Sequence, residues 1–116
     1  MGKLNIDRGT TFTIDIVYKK NGVAASLVGA TIRFTVKTVE FDSSVTDTTA
    51  VVTKNVTSHT DGPAGLSSIS IDPADTATLV PGKYNYDIKV AEAGGAVYKI
   101  DEGKITLDGS PTNRLA

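Results

Sequence analysis

The feature of this sequence that most limits its fold is an alternation of apolar and polar side chains in three segments, 11–18, 31–38 and 84–90. In the second segment, for example, single polar residues separate the apolar side chains of Ile32 and Phe34. Because successive side chains of a β-strand point to opposite faces, this period of two predicts strands with one buried face. An amphipathic helix would instead repeat its apolar residues every three or four positions.

The composition of the 116-residue chain favours strands outside these segments as well. Val, Ile and Thr supply 37 residues, and branching at Cβ suits a pleated sheet better than a helix. Five further strands are predicted at 3–7, 49–56, 66–71, 96–100 and 104–107. The expected fold is all-β, an immunoglobulin-like β-sandwich of about seven or eight antiparallel strands. Residues 1–108 would form this single domain, and 109–116 a polar C-terminal tail.

Turn and cap signals separate the predicted strands. Asn21 and Gly22 both tolerate positive φ and follow the first alternating segment, which predicts a hairpin. The pair Gly94-Gly95 predicts a second hairpin after segment 84–90. Only 72–79 has helical signals, because Asp72 can cap a helix and Pro73 suits its first position. We expect this short helical turn to connect two strands.

Charge and cysteine content exclude several functional classes. The net charge is −1, so no strong field would attract nucleic acid or an anionic membrane, and neither is expected as a partner. The sequence contains no cysteine, which excludes a disulfide scaffold, a thiolate zinc site and a cysteine nucleophile. The first residues also lack the apolar core of a secretion signal.

The remaining chemical groups form no catalytic pattern in the sequence. His59 is the single histidine, and we interpret it as a solvated loop residue. Asp72 with Asp75, or Asp101 with Glu102, could each contribute ligands to calcium, but neither spacing matches a calcium-binding loop. We therefore expect no enzyme, with no catalytic, metal-binding or cofactor-binding residue and no cofactor.

The segment 40–49 differs from the rest of the chain. It is rich in Ser, Thr and Asp, and Phe41 and Val45 are its large apolar residues. Such a composition predicts a long surface loop. The side chain of Phe41 either packs onto the core or is exposed and contacts a partner. We predict that Phe41, Asp42 and Val45 contribute to partner binding.

Five motifs in a defined order carry a resemblance to a known family. They are RGTTF at 8–12, LVGATIRFTVK at 27–37, ISIDPADT at 69–76, LVPGKYNYDI at 79–88 and VYKIDEGKITL at 97–107. This order resembles the small immunoglobulin-like domains encoded among the structural genes of tailed bacteriophages. It is similar to the amino-terminal domain of baseplate upper proteins and to related tail, neck and head-decoration modules.

The resemblance covers roughly residues 6–107 and differs from the family in two respects. The family often has an acidic residue where this sequence has Thr10 after the opening glycine. Family members also usually continue into long carboxy-terminal regions, whereas this sequence stops at Ala116. A free-standing module implies a decoration, adaptor or baseplate and tail accessory subunit.

The resemblance therefore implies a non-enzymatic virion structural protein that acts by protein–protein assembly. Its expected partners are other virion proteins, its expected state is a homo-oligomer or symmetric array on the particle, and its expected location is the virion, after synthesis in the bacterial host cytoplasm. The alternative is a carbohydrate- or cell-surface-binding module on the same scaffold. A metal-dependent hydrolase has the least support.

Hydrogen exchange tests the assignment of 40–49 as a docking loop. We expect fast amide exchange across 40–49 in the isolated protein and slow exchange in intact virions, because a partner would order the loop around Phe41. Fast exchange in both samples would contradict docking through this loop. Slow exchange in the isolated protein would mean that the loop is part of the fold.

Overall fold

A computed structural model of the protein describes residues 2–38 and 50–109. Within these ranges the chain forms nine strands and one helical turn. They are β1 (Gly2–Asp7), β2 (Phe12–Val17), β3 (Lys19–Lys20), β4 (Val23–Ala24), β5 (Thr31–Lys37), β6 (Val52–Val56), β7 (Leu66–Ile71), α1 (Pro73–Thr76), β8 (Gly82–Ala91) and β9 (Val97–Asp108). No helix in the described ranges is long and apolar enough to cross a membrane.

Two facing sheets of unequal width make up the domain. The larger sheet has five strands in the order β1-β9-β8-β5-β6, and the smaller sheet pairs β2 with β7. The two-residue strands β3 and β4 form a short separate hairpin. Some strands that are consecutive in the sequence, such as β6 and β7, lie in different sheets, as the crossing connections of an immunoglobulin-like fold require. The protein is an all-β, immunoglobulin-like sandwich with one short helical connection.

The predicted apolar faces form the core between the sheets. On β5, the side chains of Ile32, Phe34 and Val36 are buried, and Arg33 between them is exposed. The Phe34 ring packs 5.9 Å, between centroids, from the ring of Tyr86 on β8. The other large apolar side chains that are almost completely buried come from both sheets and the loops, and are Tyr18, Leu27, Ile69, Ile71, Ile88 and Val90. The alternation in all three segments is confirmed.

The structure corrects the boundaries predicted near the end of the domain. The predicted strands 96–100 and 104–107 form one continuous strand, β9, which begins at Val97, because Gly103 lies within the ladder and pairs with Tyr86 on one side and Gly2 on the other. The pairing register between β8 and β9 shifts between Ile88 and Lys89, so the ladder is irregular at this point. A sequence of polar residues and glycine resembles a turn locally, but long-range pairing overrides that preference.

The pairing of β1 also differs from the prediction. β1 runs parallel to β9 over Gly103–Asp108, whereas the prediction assumed antiparallel strands throughout. Parallel pairing is available because the two segments are far apart in sequence and need no tight hairpin. The predicted strand 49–56 begins only at Val52, which is buried in the core, and Val51 before it is half-buried at the margin of the core.

The sandwich has two ends with different contents. The hairpin end, residues 17–30, 57–66 and 91–98, contains the β3–β4 hairpin and the β8–β9 hairpin. The opposite, helix end contains α1 and the turn that joins β1 to β2. Asn21 and Gly22 have φ angles of 52° and 79°, so the predicted β3–β4 hairpin is confirmed.

Gly65 is required where three segments meet at the hairpin end. Its φ is +76°, and a Cβ there would lie 2.7 Å from the carbonyl oxygen of Tyr18 and even closer to that of Ala25. Both Tyr18 and Ala25 take part in backbone hydrogen bonds at this point, since Tyr18 donates to Gly65 and Ala25 donates to Tyr18. The close approach lets the chain turn from β2 into the β3–β4 hairpin.

Removal of the central aromatic ring should strongly destabilise the domain. We expect Phe34→Ala to lower the free energy of unfolding by about 3–5 kcal/mol, because it leaves a cavity beneath Tyr86. Urea unfolding followed by circular dichroism measures the change, with Arg33→Ala on the exposed face as the matched control. Equal urea midpoints of unfolding for the two variants would contradict the assignment of Phe34 to the core.

Candidate functional site

The residues predicted to bind a partner, Phe41, Asp42 and Val45, lie outside the described residues. The flanking residue Thr38 accepts a 3.4 Å hydrogen bond from Asn85, near the start of β8. The chain therefore enters segment 40–49 from the helix end of the sandwich. Docking through these three residues stays a prediction.

The carboxylates after β7 are already engaged by a lysine. Lys54 on β6 places its Nζ 2.7 Å from Asp75 Oδ2 and 3.3 Å from Asp72 Oδ2. Its hydrogen bond to Asp75 raises the pKa of Lys54 above its usual value. Asp72 is the N-cap residue of α1, as predicted, and its backbone N–H donates to Asp75. This ion pair joins the edge of the larger sheet to the segment that follows β7.

The second carboxylate pair also serves the fold. Asp101 accepts a 2.9 Å hydrogen bond from the hydroxyl of Tyr86. Glu102 forms an ion pair with Lys99 at 2.7 Å. Across residues 2–38 and 50–109, no group of three or more His, Cys, Asp or Glu side chains could hold a metal ion.

His59 is a structural bridge and not the solvated loop residue predicted from the sequence. Its Nε2 lies 2.9 Å from the carbonyl oxygen of Ala30, and its Nδ1 lies 2.8 Å from Ser67 Oγ. Because a carbonyl only accepts, Nε2 carries the proton and Nδ1 accepts from the serine hydroxyl. Ser67 is only 4% exposed, so this Ser–His contact is closed to a substrate.

A polar network links the two hairpins of the hairpin end. Glu92 Oε2 accepts a 2.6 Å hydrogen bond from the Tyr18 hydroxyl and lies 2.6 Å from Lys20 Nζ. Lys20 also lies 4.9 Å from the centre of the Tyr98 ring, a cation–π contact. The hydrogen bonds from Lys20 and Tyr18 hold the pKa of Glu92 below its usual value. The network holds the β3–β4 hairpin against the β8–β9 hairpin.

Exposed apolar side chains concentrate at this same end. Seven large apolar side chains are exposed among the described residues, and six belong to the hairpin end: Val17, Val23, Val28, Leu66, Val97 and Tyr98. Val17 and Leu66 lie opposite each other on the outer face of the β2–β7 sheet. We call these six residues the hairpin-end apolar set. The sequence contained one signal for it, since Val17 occupies a polar-face position of its segment.

The tyrosines of β8 are core residues, as their alternation predicted. Tyr84 is 8% exposed and its hydroxyl donates to the carbonyl oxygen of Val80, in the turn that precedes the strand. Tyr86 is buried, and burial together with its hydrogen bond to Asp101 raises the pKa of Tyr86 to about 12. Burial, followed by the hydrogen bond to Glu92, also raises the pKa of Tyr18.

Comparisons with known proteins support the fold and leave the function open. No model of a known protein family matches the sequence, and no curated protein matches it. The structure is similar to the soluble domain of PmoD from Methylocystis sp. ATCC 49242 (Rockwell), with 7% identity and a TM-score of 0.50 over 90% of this chain and 77% of that chain. It is also similar to AggA, the major subunit of aggregative adherence fimbriae type I from Escherichia coli, with 16% identity and a TM-score of 0.36 over 95% of this chain and 91% of that chain. The first similarity concerns the fold alone.

The buried tyrosine hydroxyls should make the protein less stable at alkaline pH. Above about pH 10 the unfolded chain loses the Tyr86 proton, while the folded protein keeps it until about pH 12. The unfolded state then binds fewer protons, so the free energy of unfolding falls as the pH rises, by on the order of 2 kcal/mol for Tyr86. Urea unfolding between pH 9 and 12 measures this loss, which Tyr86→Phe should reduce. If the free energy of unfolding of that variant depends on pH as it does in the parent, the assignment of the alkaline loss to Tyr86 is contradicted.

Proposed function

We propose that the protein is a non-enzymatic structural subunit of a tailed-bacteriophage particle, which acts by binding other particle proteins. The observation that carries the assembly role is the hairpin-end apolar set. Single exposed apolar residues are common on protein surfaces, but their concentration at one end is typical of an interaction site. Burial of an exposed valine or leucine contributes up to about 1.5–3 kcal/mol, so a few such contacts support association.

The rigidity of the hairpin end supports the same role. The Tyr18–Glu92 hydrogen bond and the Lys20–Glu92 ion pair join its two hairpins. A surface that is already ordered loses less conformational entropy when a partner binds. Apolar side chains on such a surface favour permanent assembly over transient contact.

The particle type is proposed from the sequence resemblance. The motifs that carry it span the turn before β2, strand β5 with the turn before it, the end of β7 with α1, and parts of β8 and β9, including PGKY at 81–84, where β8 begins. Their apolar residues contribute to the core, and none of the described polar groups is arranged as a nucleophile with an accessible base. A binding role therefore fits the described chemistry better than catalysis does. Oligomerisation and location in the virion belong to the same proposal.

The carbohydrate-binding alternative lacks a supporting observation. Binding of a sugar commonly uses several exposed aromatic rings that form a flat surface. Among the described residues, Tyr98 is the one exposed aromatic, and Lys20 already lies over its ring. Other described aromatics face the core, so they offer no such surface.

The proposal is tested on purified particles of the phage that encodes this chain. Quantitative mass spectrometry should detect the protein with a copy number that matches a symmetric component of the head, tail or baseplate. The double variant Val17→Thr/Leu66→Ser should melt within a few degrees of the parent yet be incorporated at least tenfold less. Val80→Thr is the matched control, because Val80 is 74% exposed but lies at the opposite end.

Absence of the protein from purified particles would contradict the virion role. Equal incorporation of the double variant and the Val80→Thr control would contradict assembly through the hairpin end. Incorporation lost equally in both variants would likewise show that the hairpin-end apolar set has no special part in assembly.

A further inference from the structure

The two sheets leave an uncovered flank on one side of the sandwich. The smaller sheet has two strands and the larger has five. Lys54 of β6 bonds to Asp72 and Asp75, directly after β7, so β7 lies toward the β6 side. At the other side, Lys20 follows β2 and lies over the ring of Tyr98 on β9. Because five strands face two, the larger sheet extends beyond the free edge of β2 on the side of β9 and β1.

The helix end of this flank is closed, but its hairpin half is open. Near α1, Arg8 Nη1 donates to the carbonyl oxygen of Leu79, and the N–H of Gly9 donates to Thr76. β1 pairs with Gly103–Asp108 alone, so the edge of β9 at 97–102 has no neighbouring strand among the described residues.

Inward-facing side chains along the open half are incompletely covered. Ile14 on β2 and Ile100 on β9 are half-buried at the margin of the core, and Tyr98 is 47% exposed. Ile16, two residues further along β2, is buried. The apolar surface between β2 and the open part of β9 thus has no covering strand in the described structure.

Hydrogen-bond alternation identifies the free backbone groups of β2. Leu66 exchanges both of its backbone hydrogen bonds with Asp61, each 3.0 Å long, on the side of β7 away from β2. Leu66 and its partner Val17 therefore form a non-hydrogen-bonded pair. By the same alternation, the N–H and C=O groups of Thr13 and Asp15 point away from β7, toward the free edge.

The β2 edge also lacks the features that normally prevent strand addition. The open part of β9 has an irregular register and the charged residues Lys99 and Glu102. β6 carries the inward-facing Lys54. Irregularities of this kind and inward-facing charges protect strand edges. β2, with the sequence FTIDIV, has no lysine, proline, glycine or bulge.

We propose that the free edge of β2 accepts a single extended strand from another polypeptide. The strand would pair with the backbones of Thr13 and Asp15 and cover Ile14 and Ile100 with apolar side chains at alternate positions. The intervening positions lie on the outer face beside Asp15, so lysine or arginine is favoured there. This inference rests on the proposed assembly role. It specifies the partner as an extended strand with apolar residues at alternate positions.

A peptide titration of the full chain tests the proposal. The probe is a twelve-residue peptide in which Val alternates with Thr and Lys, and the control peptide has the same composition with its valines in one block. At about 1 mM alternating peptide, amide hydrogen exchange at Thr13 and Asp15 should slow at least tenfold. The block peptide should change the exchange rates of these two amides less than twofold.

Two matched proline variants locate the binding edge. Thr13→Pro removes an N–H that points to the free edge and is not part of the β2–β7 ladder, so the alternating peptide should no longer slow exchange at Asp15, the amide that remains to be measured. Ser70→Pro is the control, because Ser70 is the cross-strand partner of Thr13 and its N–H points to the opposite edge. Ser70→Pro should retain peptide binding.

Unchanged exchange at Thr13 and Asp15 in the parent protein would overturn the proposal, and this measurement does not depend on whether the variants fold. Equal binding by Thr13→Pro, or equal effects of the two peptides, would also overturn it. Absence of the protein from virions would instead contradict the proposed virion role and leave this result unchanged.

Discussion

The unequal width of the two sheets is the constraint on which most of the structure depends. Two strands cannot cover the inner face of five, so other segments must close the core. The turn that contains α1, together with Leu79, covers the helix end, and Leu27 and Tyr18 are buried at the hairpin end. One flank between β2 and β9 receives no cover from the described residues. Both the compact core and the open edge therefore follow from the same difference in strand number.

Polar and charged side chains in this protein mainly join separate parts of the fold. Lys54 links β6 to the segment after β7, Glu92 links two hairpins, and His59 links Ser67 to the backbone of Ala30. Each of these groups has a partner that fixes its position. Side chains held in this way fix the relative positions of the strands and turns that carry them.

The predicted strands were largely correct because alternation is a local signal that the core also requires. Ile32, Phe34 and Val36 face inward in the structure as their spacing predicts. The predictions were wrong where distant contacts decide the outcome. Polar residues before Gly103 resemble a turn, yet they continue β9 because β8 pairs with them on one side. His59 resembles a solvated loop residue, yet Ser67 and Ala30 lie within hydrogen-bond distance once β7 is packed.

The sequence by itself determined the fold class, the inward faces of the main strands, the β3–β4 hairpin and the capped turn at Asp72. These features depend on side-chain period and local backbone preference, which neighbouring residues carry. Only the tertiary structure decided the parallel pairing of β1 with β9, the convergence of exposed apolar residues at the hairpin end and the free edge of β2. Each of these depends on which segments meet in space, and residues far apart in the chain acquire that relation only when both sheets have formed.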